Sequence, residues 1–396
     1  MYNTVTGGIV QIQGDEDLYK SLDSLIEMRY YVTYDIDEYQ WINELRSTKK
    51  NQKPNRGING YTILTSTDCN ARCFYCFEKG QKRTSMTESV AHDVSNYIEK
   101  ESQDSPVNIR WFGGEPLINT KAIDIICNNL TLKGIEFKST MVSNGLLFSD
   151  SIINKAKKIW KLKSVQITLD GTKDVYQKAK SYRGATGNEF EKVISNIRKL
   201  IDSDIRVSIR LNQDSYNTND LVALVDFLAK KFLGEKNISL YNSLLYEENL
   251  YTNPELEKEK YNEFLQLQER IINSGLFRKN TLKGKLRVKH CMADNDSSII
   301  ITPNGNIGKC EHYTDQHIIG NIYNSELDKT ETEKWKETYQ PNPKCLNCPL
   351  YPHCVRIKMC PVEKEACSLT QCENKIYLIK RALLKKLKES NESDSY

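Results

Sequence analysis

Long apolar runs are missing from this chain of 396 residues: no stretch approaches twenty apolar residues and the hydrophobic fraction is 39%, which excludes a membrane-spanning helix. Charge of one sign is scarce as well. The 56 Lys and Arg are interspersed with 52 Asp and Glu for a net of +4, so neither nucleic acid nor a membrane surface is an expected partner. The opening residues Met1-Tyr2-Asn3-Thr4-Val5 show no basic region followed by an apolar run, and a cytoplasmic, reducing setting is expected. Histidine is sparse, and His92, His290, His317 and His353 read as surface groups or as supports for a ligand. Cysteine is not sparse. Twelve of them in a chain read as unexported imply thiols that bind metal.

The densest thiol phrase is Cys69-Asn70-Ala71-Arg72-Cys73-Phe74-Tyr75-Cys76, a C-x3-C-x2-C triplet just after the strand-like run Tyr61-Thr62-Ile63-Leu64. Three thiolates can hold three irons of a [4Fe–4S] cube, whereas an electron-transfer cluster normally takes four cysteines, so the fourth iron is left to bind something else. Structural zinc usually pairs one Cys couple with a second Cys/His couple, and a triplet alone leaves that site short. Disulfides require export.

After the triplet, short β-branched runs alternate with amphipathic helical stretches. Helices are expected from about Thr87 to Glu101, Ile118 to Leu132, Ser151 to Ile159, Glu189 to Ile201 and Asp220 to Phe232. Strands are expected at Val107–Phe112, Ile135–Val142, Ser164–Leu169, Arg206–Leu211 and Ile238–Tyr241. Such repetition predicts an α/β fold with a parallel sheet, an open partial barrel of about six units rather than eight. Ligands of these sheets lie at the carboxyl ends of the strands. There the chain has Gly113-Gly114-Glu115-Pro116, then Ser143-Asn144-Gly145, then Gln166, Thr168 and Asp170-Gly171.

The triplet, with an aromatic residue before its last cysteine, resembles the radical S-adenosylmethionine superfamily. The resemblance implies that methionine's amino and carboxylate groups chelate the open iron, and that one electron cleaves the sulfonium to a 5′-deoxyadenosyl radical that abstracts hydrogen. It also implies roles. Gly113, Gly114, Glu115 and Pro116 resemble the family's GGEP turn at the methionine amino group, with Ser143 and Asn144 near the ribose or carboxylate. Thr168 and Asp170 resemble the ribose pattern, Tyr75 sets its backbone against the adenine, and Arg183 with Arg210-Leu211-Asn212 helps neutralise the carboxylate.

Eight further cysteines lie between Cys291 and Cys372, in an order that resembles the SPASM domain, a C-terminal extension with two auxiliary [4Fe–4S] clusters. The match implies Cys291, Cys310 and Cys360 for the first auxiliary cluster, and Cys345, Cys348 and Cys354 with Cys372 or Cys367 for the second. Two features depart from the pattern. Five residues rather than three separate Cys354 from Cys360, and the first cluster has three assured ligands, so Cys367 is its fourth or the site is open to a substrate thiolate. A zinc ribbon on Cys345, Cys348, Cys354 and Cys360 is the bland alternative. Cys127, inside an apolar helical run, reads as a small buried hydrophobe.

The expected organisation is an N-terminal helical or leader-docking region (1–56), the barrel (57–245), a helical bridge (246–285), the SPASM domain (286–385) and a disordered tail (386–396). Lys309-Cys310-Glu311-His312 and Ile319-Gly320-Asn321-Ile322 look like phrases of peptide maturases, and Glu311 is the residue read as the base that deprotonates the substrate radical. The expected activity is therefore hydrogen abstraction from a ribosomally made precursor peptide, installing a thioether or carbon–carbon link. The cofactors would be S-adenosylmethionine and three [4Fe–4S] clusters, with a flavodoxin- or ferredoxin-like reductant as partner. Two alternatives stand beside it. One is a formylglycine-forming sulfatase maturase, whose relatives have Asp where Glu311 stands; the other is an iron–sulfur redox protein without radical chemistry.

Overall fold

Three helices open the chain, α1 (Asp15–Lys20), α2 (Leu22–Glu27) and α3 (Glu38–Asn51). Seven parallel strands follow in the computed structural model: β1 (Gly60–Ser66), β2 (Val107–Gly113), β3 (Phe137–Ser143), β4 (Leu162–Leu169), β5 (Arg206–Gln213), β6 (Ile238–Leu244) and β7 (Ser298–Ile301). Their order across the sheet is β6-β5-β4-β3-β2-β1-β7, and β8 (Asn306–Gly308) and β9 (Gly320–Asn321) extend it antiparallel. The structure describes the chain apart from residues 13, 34, 52–56, 104, 246–253, 279–281, 283–285, 287–290, 313–315, 325, 341–342, 346–347, 362–368 and 394–396. Cys367 and His290 lie outside the described residues.

Between the strands run α4 (Glu88–Ser102), α5 (Thr120–Leu132), α6 (Asp150–Lys158), α7 (Lys173–Lys180), α8 (Glu189–Asp202), α9 (Thr218–Lys231) and α10 (Pro254–Asn273), and a short helix, α11 (Lys329–Lys334), follows β9. Local chemistry sets their ends. The Thr87 hydroxyl accepts from Val90 N at 3.3 Å at the start of α4, and the Ser149 hydroxyl accepts from Ile152 N at 3.3 Å before α6; such caps are worth about 1 kcal/mol each. α8 buries Phe190, Val193, Ile194, Ile197, Leu200 and Ile201, the spacing of one helix face. These residues join Val107, Ile109 and Trp111 of β2 and Val165, Ile167 and Leu169 of β4 in one hydrophobic core. The alternate strand positions form the other face of the sheet, which is mostly polar: Asn108 and Arg110 are exposed, Thr140, Gln166, Thr168, Arg210 and Tyr241 are half-buried, and Leu64, Phe112 and Val142 are its apolar members near the carboxyl ends of β1 to β3.

The chain divides into two compact units, Arg56–Arg278 with Met292–Lys336, and Met1–Asn55 with Lys279–Cys291 and Glu337–Tyr396. The division cuts through the segment 286–385, because β7 pairs with β1 and carries residues 292–336 into the barrel unit. The charged stretch expected to bridge two domains supplies α10, which serves as the helix after β6: Asn242 Nδ2 donates to Phe264 O at 2.9 Å, and Arg270 Nε to Asp226 Oδ1 at 2.6 Å.

The second unit has few buried apolar side chains. Its described ones are Leu25, Ile42, Leu286, Leu350, Tyr351, Ile357 and Leu378, and none of them belongs to the hydrophobic core. A polar clasp holds part of it. The Arg46 guanidinium of α3 donates to Cys354 O at 2.9 Å and to Tyr351 O, and lies 4.4 Å over the Tyr351 ring; Tyr351 Oη donates to Asn43 at 2.7 Å. The last helix, α12 (Leu369–Ser393), runs through most of the tail expected to be disordered. An ion pair supports it there, with Lys385 3.7 Å from Glu389 one turn on. Among the described residues no helix is long and apolar enough to cross a membrane.

Candidate active site

β1 ends at Ser66 and releases the thiol loop at the carboxyl edge of the sheet. Thr67 N and Met86 N donate to Thr84 O and Thr65 O at 2.8 and 2.9 Å, closing the loop's base. Within it Cys69 N donates to Asp68 Oδ1 at 2.9 Å, Ala71 N to Cys69 Sγ at 3.4 Å and Cys76 N to Cys73 O at 3.2 Å. All three thiols are half-buried. Burial, then the Glu115 carboxyl, then Cys73 and Cys76 push the Cys69 thiol up to about 12; burial also raises Cys76, with Cys73 adding to it. Thiols that raise one another are close, and Cys69 and Cys76 are costly to ionise without a cation beside them.

A [4Fe–4S] cluster fits that donor set. Among the described residues no three His, Cys, Asp or Glu side chains are gathered to metal-ligand distances, so the fit rests on three thiols in one loop, their mutual repulsion and the amide directed at Cys69 Sγ. Cys69, Cys73 and Cys76 would hold three irons.

The turn after β2 is laced to this loop by main chain. Gly114 N donates to Ser66 O and Glu115 N to Asp68 O, both at 3.0 Å. Side chains are excluded there. A Cβ on Gly113, whose φ is +117°, would meet Ser66 O at 2.1 Å, and one on Gly114 would meet Asp68 O at 2.4 Å. Pro116 is buried behind them, and its carbonyl accepts from Thr65 Oγ1 at 3.1 Å.

Glu115 is fully buried and works as a clamp. Its carboxylate accepts from Leu117 N at 3.1 Å, Asn144 N at 2.8 Å and the Ser143 hydroxyl at 2.9 and 3.1 Å, tying the ends of β2 and β3 together. Those donors favour its charge, yet burial outweighs them and raises it to about 7. Ser143, expected near the ribose or carboxylate, is buried and spends its hydroxyl on Glu115. The Asn144 amide is directed at the loop instead, 2.7 Å from Asn70 Oδ1 and 3.8 Å from Cys69 Sγ.

At the end of β4, Thr168 stands half-buried on the polar face while Asp170 is buried beside Lys180 and Tyr75. Arg183, expected at a ligand carboxylate, pairs with Asp68 at 2.8 Å; Arg72 and Arg83 approach the same oxygen at 3.6 and 3.5 Å. Glu311 is half-buried directly after Cys310, and the neighbouring His312 ring lies 4.2 Å from that of Phe77, next in the chain after Cys76. Burial lowers the His312 pKa, and Arg210 on β5 adds to this while Glu311 opposes it. The barrel unit thus gathers Cys69, Cys73, Cys76, Tyr75, Gly113, Gly114, Glu115, Asn144, Asp170 and Arg183 about one loop.

The second unit holds Cys291, Cys345, Cys348, Cys354, Cys360 and Cys372. Four of them sit at tight turns: Cys348 N donates to Cys345 O at 3.1 Å, Tyr351 N to Cys348 O at 2.9 Å, Cys354 N to Tyr351 O at 3.1 Å and Cys360 N to Ile357 O at 3.1 Å. Cys310 belongs to the barrel unit, in the turn after β8. Cys127 is fully buried in α5, as expected of a core hydrophobe.

Residues 63–228 match the Radical SAM superfamily. Residues 63–228 thus form a domain of the radical S-adenosylmethionine superfamily, the thiol triplet lies inside it, and the region beyond it is cysteine-rich. That class takes S-adenosylmethionine and a [4Fe–4S] cluster. The GTP 3′,8-cyclase of Clostridium perfringens (strain SM101 / Type A) is 23% identical over 281 residues, 66% of this chain and 83% of the cyclase. Among solved structures, native anSMEcpe with bound AdoMet and Cp18Cys peptide aligns at a TM-score of 0.62 and 18% identity, covering 84% of this chain and 99% of that one. Streptococcus suis SuiB bound to S-adenosylmethionine aligns at 0.55 and 16% identity, covering 87% and 84%. SuiB bound to the precursor peptide SuiA aligns at 0.51 and 15% identity, covering 88% and 84%. Identities this low carry the shared fold.

Proposed function

We propose that this enzyme is a maturase of a ribosomally made precursor peptide. The observation that carries the reading is the mostly polar face of six strands, from β1 to β6, bordered by the thiol loop with its exposed Phe74 and Phe77. Six strands span about 24 Å, room for an extended peptide of roughly seven residues. A small molecule needs less wall. Solved structures of this fold that hold peptides, anSMEcpe and SuiB, support the same reading.

When bound, S-adenosylmethionine and the cluster supply a deoxyadenosyl radical that abstracts hydrogen. The chain's own groups do the rest. Gly113 and Gly114 let main chain approach the methionine end, with Glu115 and Pro116 fixing that turn, and Asn144, Thr168 and Arg183 lie within the same rim. Glu311, half-buried beside His312, is the base that takes a proton as the new thioether or carbon–carbon bond forms. The tail thiols Cys291, Cys310, Cys345, Cys348, Cys354, Cys360 and Cys372, together with Cys367, would hold two auxiliary [4Fe–4S] clusters, which would accept the one electron released as that bond forms and the proton leaves. A flavodoxin- or ferredoxin-like protein would be the electron donor.

The test is anaerobic reconstitution with dithionite and S-adenosylmethionine, adding peptides encoded beside the gene. The expected result is deoxyadenosine formation accelerated by one peptide, with a mass change in that peptide. Indifference to every such peptide, with turnover of a Cys-x-Pro-x-Arg peptide instead, would move the assignment to formylglycine formation.

A further inference from the structure

Behind the thiol loop the barrel unit buries a complete ion pair. Lys180, the last residue of α7, and Asp170, just past β4, are 3% and 2% exposed, with Nζ 3.0 Å from Oδ2. Tyr75, between Cys73 and Cys76, closes the group: its hydroxyl accepts from Lys180 Nζ at 2.9 Å and donates to Asp170 Oδ1 at 2.7 Å. Asn212 Nδ2 donates to the same oxygen at 3.1 Å, and Asn217 Nδ2 to the Asp170 carbonyl at 2.9 Å. The main chain repeats the attachment, with Arg72 N on Lys180 O at 2.8 Å and Arg183 N on Asn70 O at 2.9 Å.

A buried ion pair is a poor stabiliser compared with apolar residues of the same volume, because both charges lose their water. Tyr75 and two asparagines fix this one in place, and the ammonium's hydrogen bond to Tyr75 ties it to the residue that stands between Cys73 and Cys76 in the chain. Burial alone would lower the Lys180 pKa, but Asp170 at 3.0 Å and the Tyr75 hydroxyl at 2.9 Å more than reverse this and keep the ammonium charged. One fixed charge in so dry a site acts strongly on any charge change nearby.

We propose that Lys180 and Asp170 are positioning residues that set the reduction potential of the cluster on Cys69, Cys73 and Cys76, the ammonium easing the entry of an electron and the carboxylate opposing it. One electron enters from the external reductant, the cluster gains one negative charge, and no proton moves, since the ammonium keeps its own. The proposal rests on the cluster reading of the thiol triplet.

The experiment is an anaerobic redox titration of the reconstituted full-length chain, followed by electron paramagnetic resonance in the signal that changes on adding S-adenosylmethionine. Lys180→Met should lower the midpoint and Asp170→Asn should raise it, each by tenfold or more in the one-electron equilibrium constant, about 59 mV. Lys180→Met/Asp170→Asn should return close to wild type. Should a single variant fail to take up iron, the double variant decides, because it restores charge balance. Shifts of the same sign, no shift with the cluster intact, or a double variant as displaced as Lys180→Met would overturn the proposal alone. A wild-type chain that takes up no cluster would overturn the cluster reading and the proposal together.

Discussion

The two thiol-bearing regions are built on opposite terms. Around Cys69, Cys73 and Cys76 the chain supplies everything but the metal: strand ends, a two-glycine turn with no room for a side chain, a buried carboxylate clamp and an ion pair beneath the loop. Around Cys345, Cys348, Cys354 and Cys360 it supplies tight turns, an arginine clasp and a handful of buried apolar residues. If the proposed auxiliary clusters form, a region with so small a core among its described residues would gain its order from them, whereas the barrel orders its thiols in advance.

Metal removal is the largest lever on this contrast. Anaerobic chelation should strip amide-exchange protection from 337–361 and α12 while leaving β1 to β6 protected; equal loss in both units would erase the distinction. Next in size is a pair of glycines. Gly113→Ala drives a Cβ to 2.1 Å from the Ser66 carbonyl at φ +117°, so a loss of about 3 kcal/mol or more is expected by denaturant unfolding. Gly14→Ala, in the other unit at φ +89° with open space around it, should cost only about 1 kcal/mol.

The clamp gives a pH signature of similar size. Glu115 titrates near 4.5 when unfolded and is raised to about 7 in the fold, so the unfolded state ionises first and the folded state keeps the proton. Stability is therefore fully present below pH 4.5 and falls as pH rises toward 7, by about 3 kcal/mol at 1.36 kcal/mol per unit. Glu78, also raised to about 7 by burial, adds a slope of the same sign. Glu115→Gln should flatten the profile to the Glu78 share; an unchanged profile would contradict the buried-clamp account. The smallest effect belongs to the surface of α12. Lys385→Ala removes a pair with Glu389 and should cost only about 0.3–0.5 kcal/mol in the metal-loaded protein.

The same contrast explains what could be read from sequence. Strands and helices of the barrel followed from apolar period, and the elements β1 to β6 begin and end within a few residues of their expected positions. The glycine turn was legible because Gly-Gly, routine in loops when alone, falls here at a strand end that follows the thiol triplet. Lys180 was not: a lysine in a short polar helix reads as solvated, and its burial depends on Asp170 at the other end of that helix and on Tyr75, far off in sequence. Asp68, which gathers Arg72, Arg83 and Arg183, was equally silent. β7 escaped because four residues, Ser298–Ile301, are too few to show a period, though they move residues 292–336 into the barrel unit. In the tail, cysteine spacing gave the order of thiols but no core pattern to say how the chain runs between them.

The most direct test of the central claim is deoxyadenosine release from S-adenosylmethionine by the iron-reconstituted chain under dithionite, comparing wild type with Cys73→Ala. The account predicts steady release by wild type and none above background for Cys73→Ala, whose iron content should fall by one cluster of four. Equal release by both, or iron binding with no release by wild type, would contradict it.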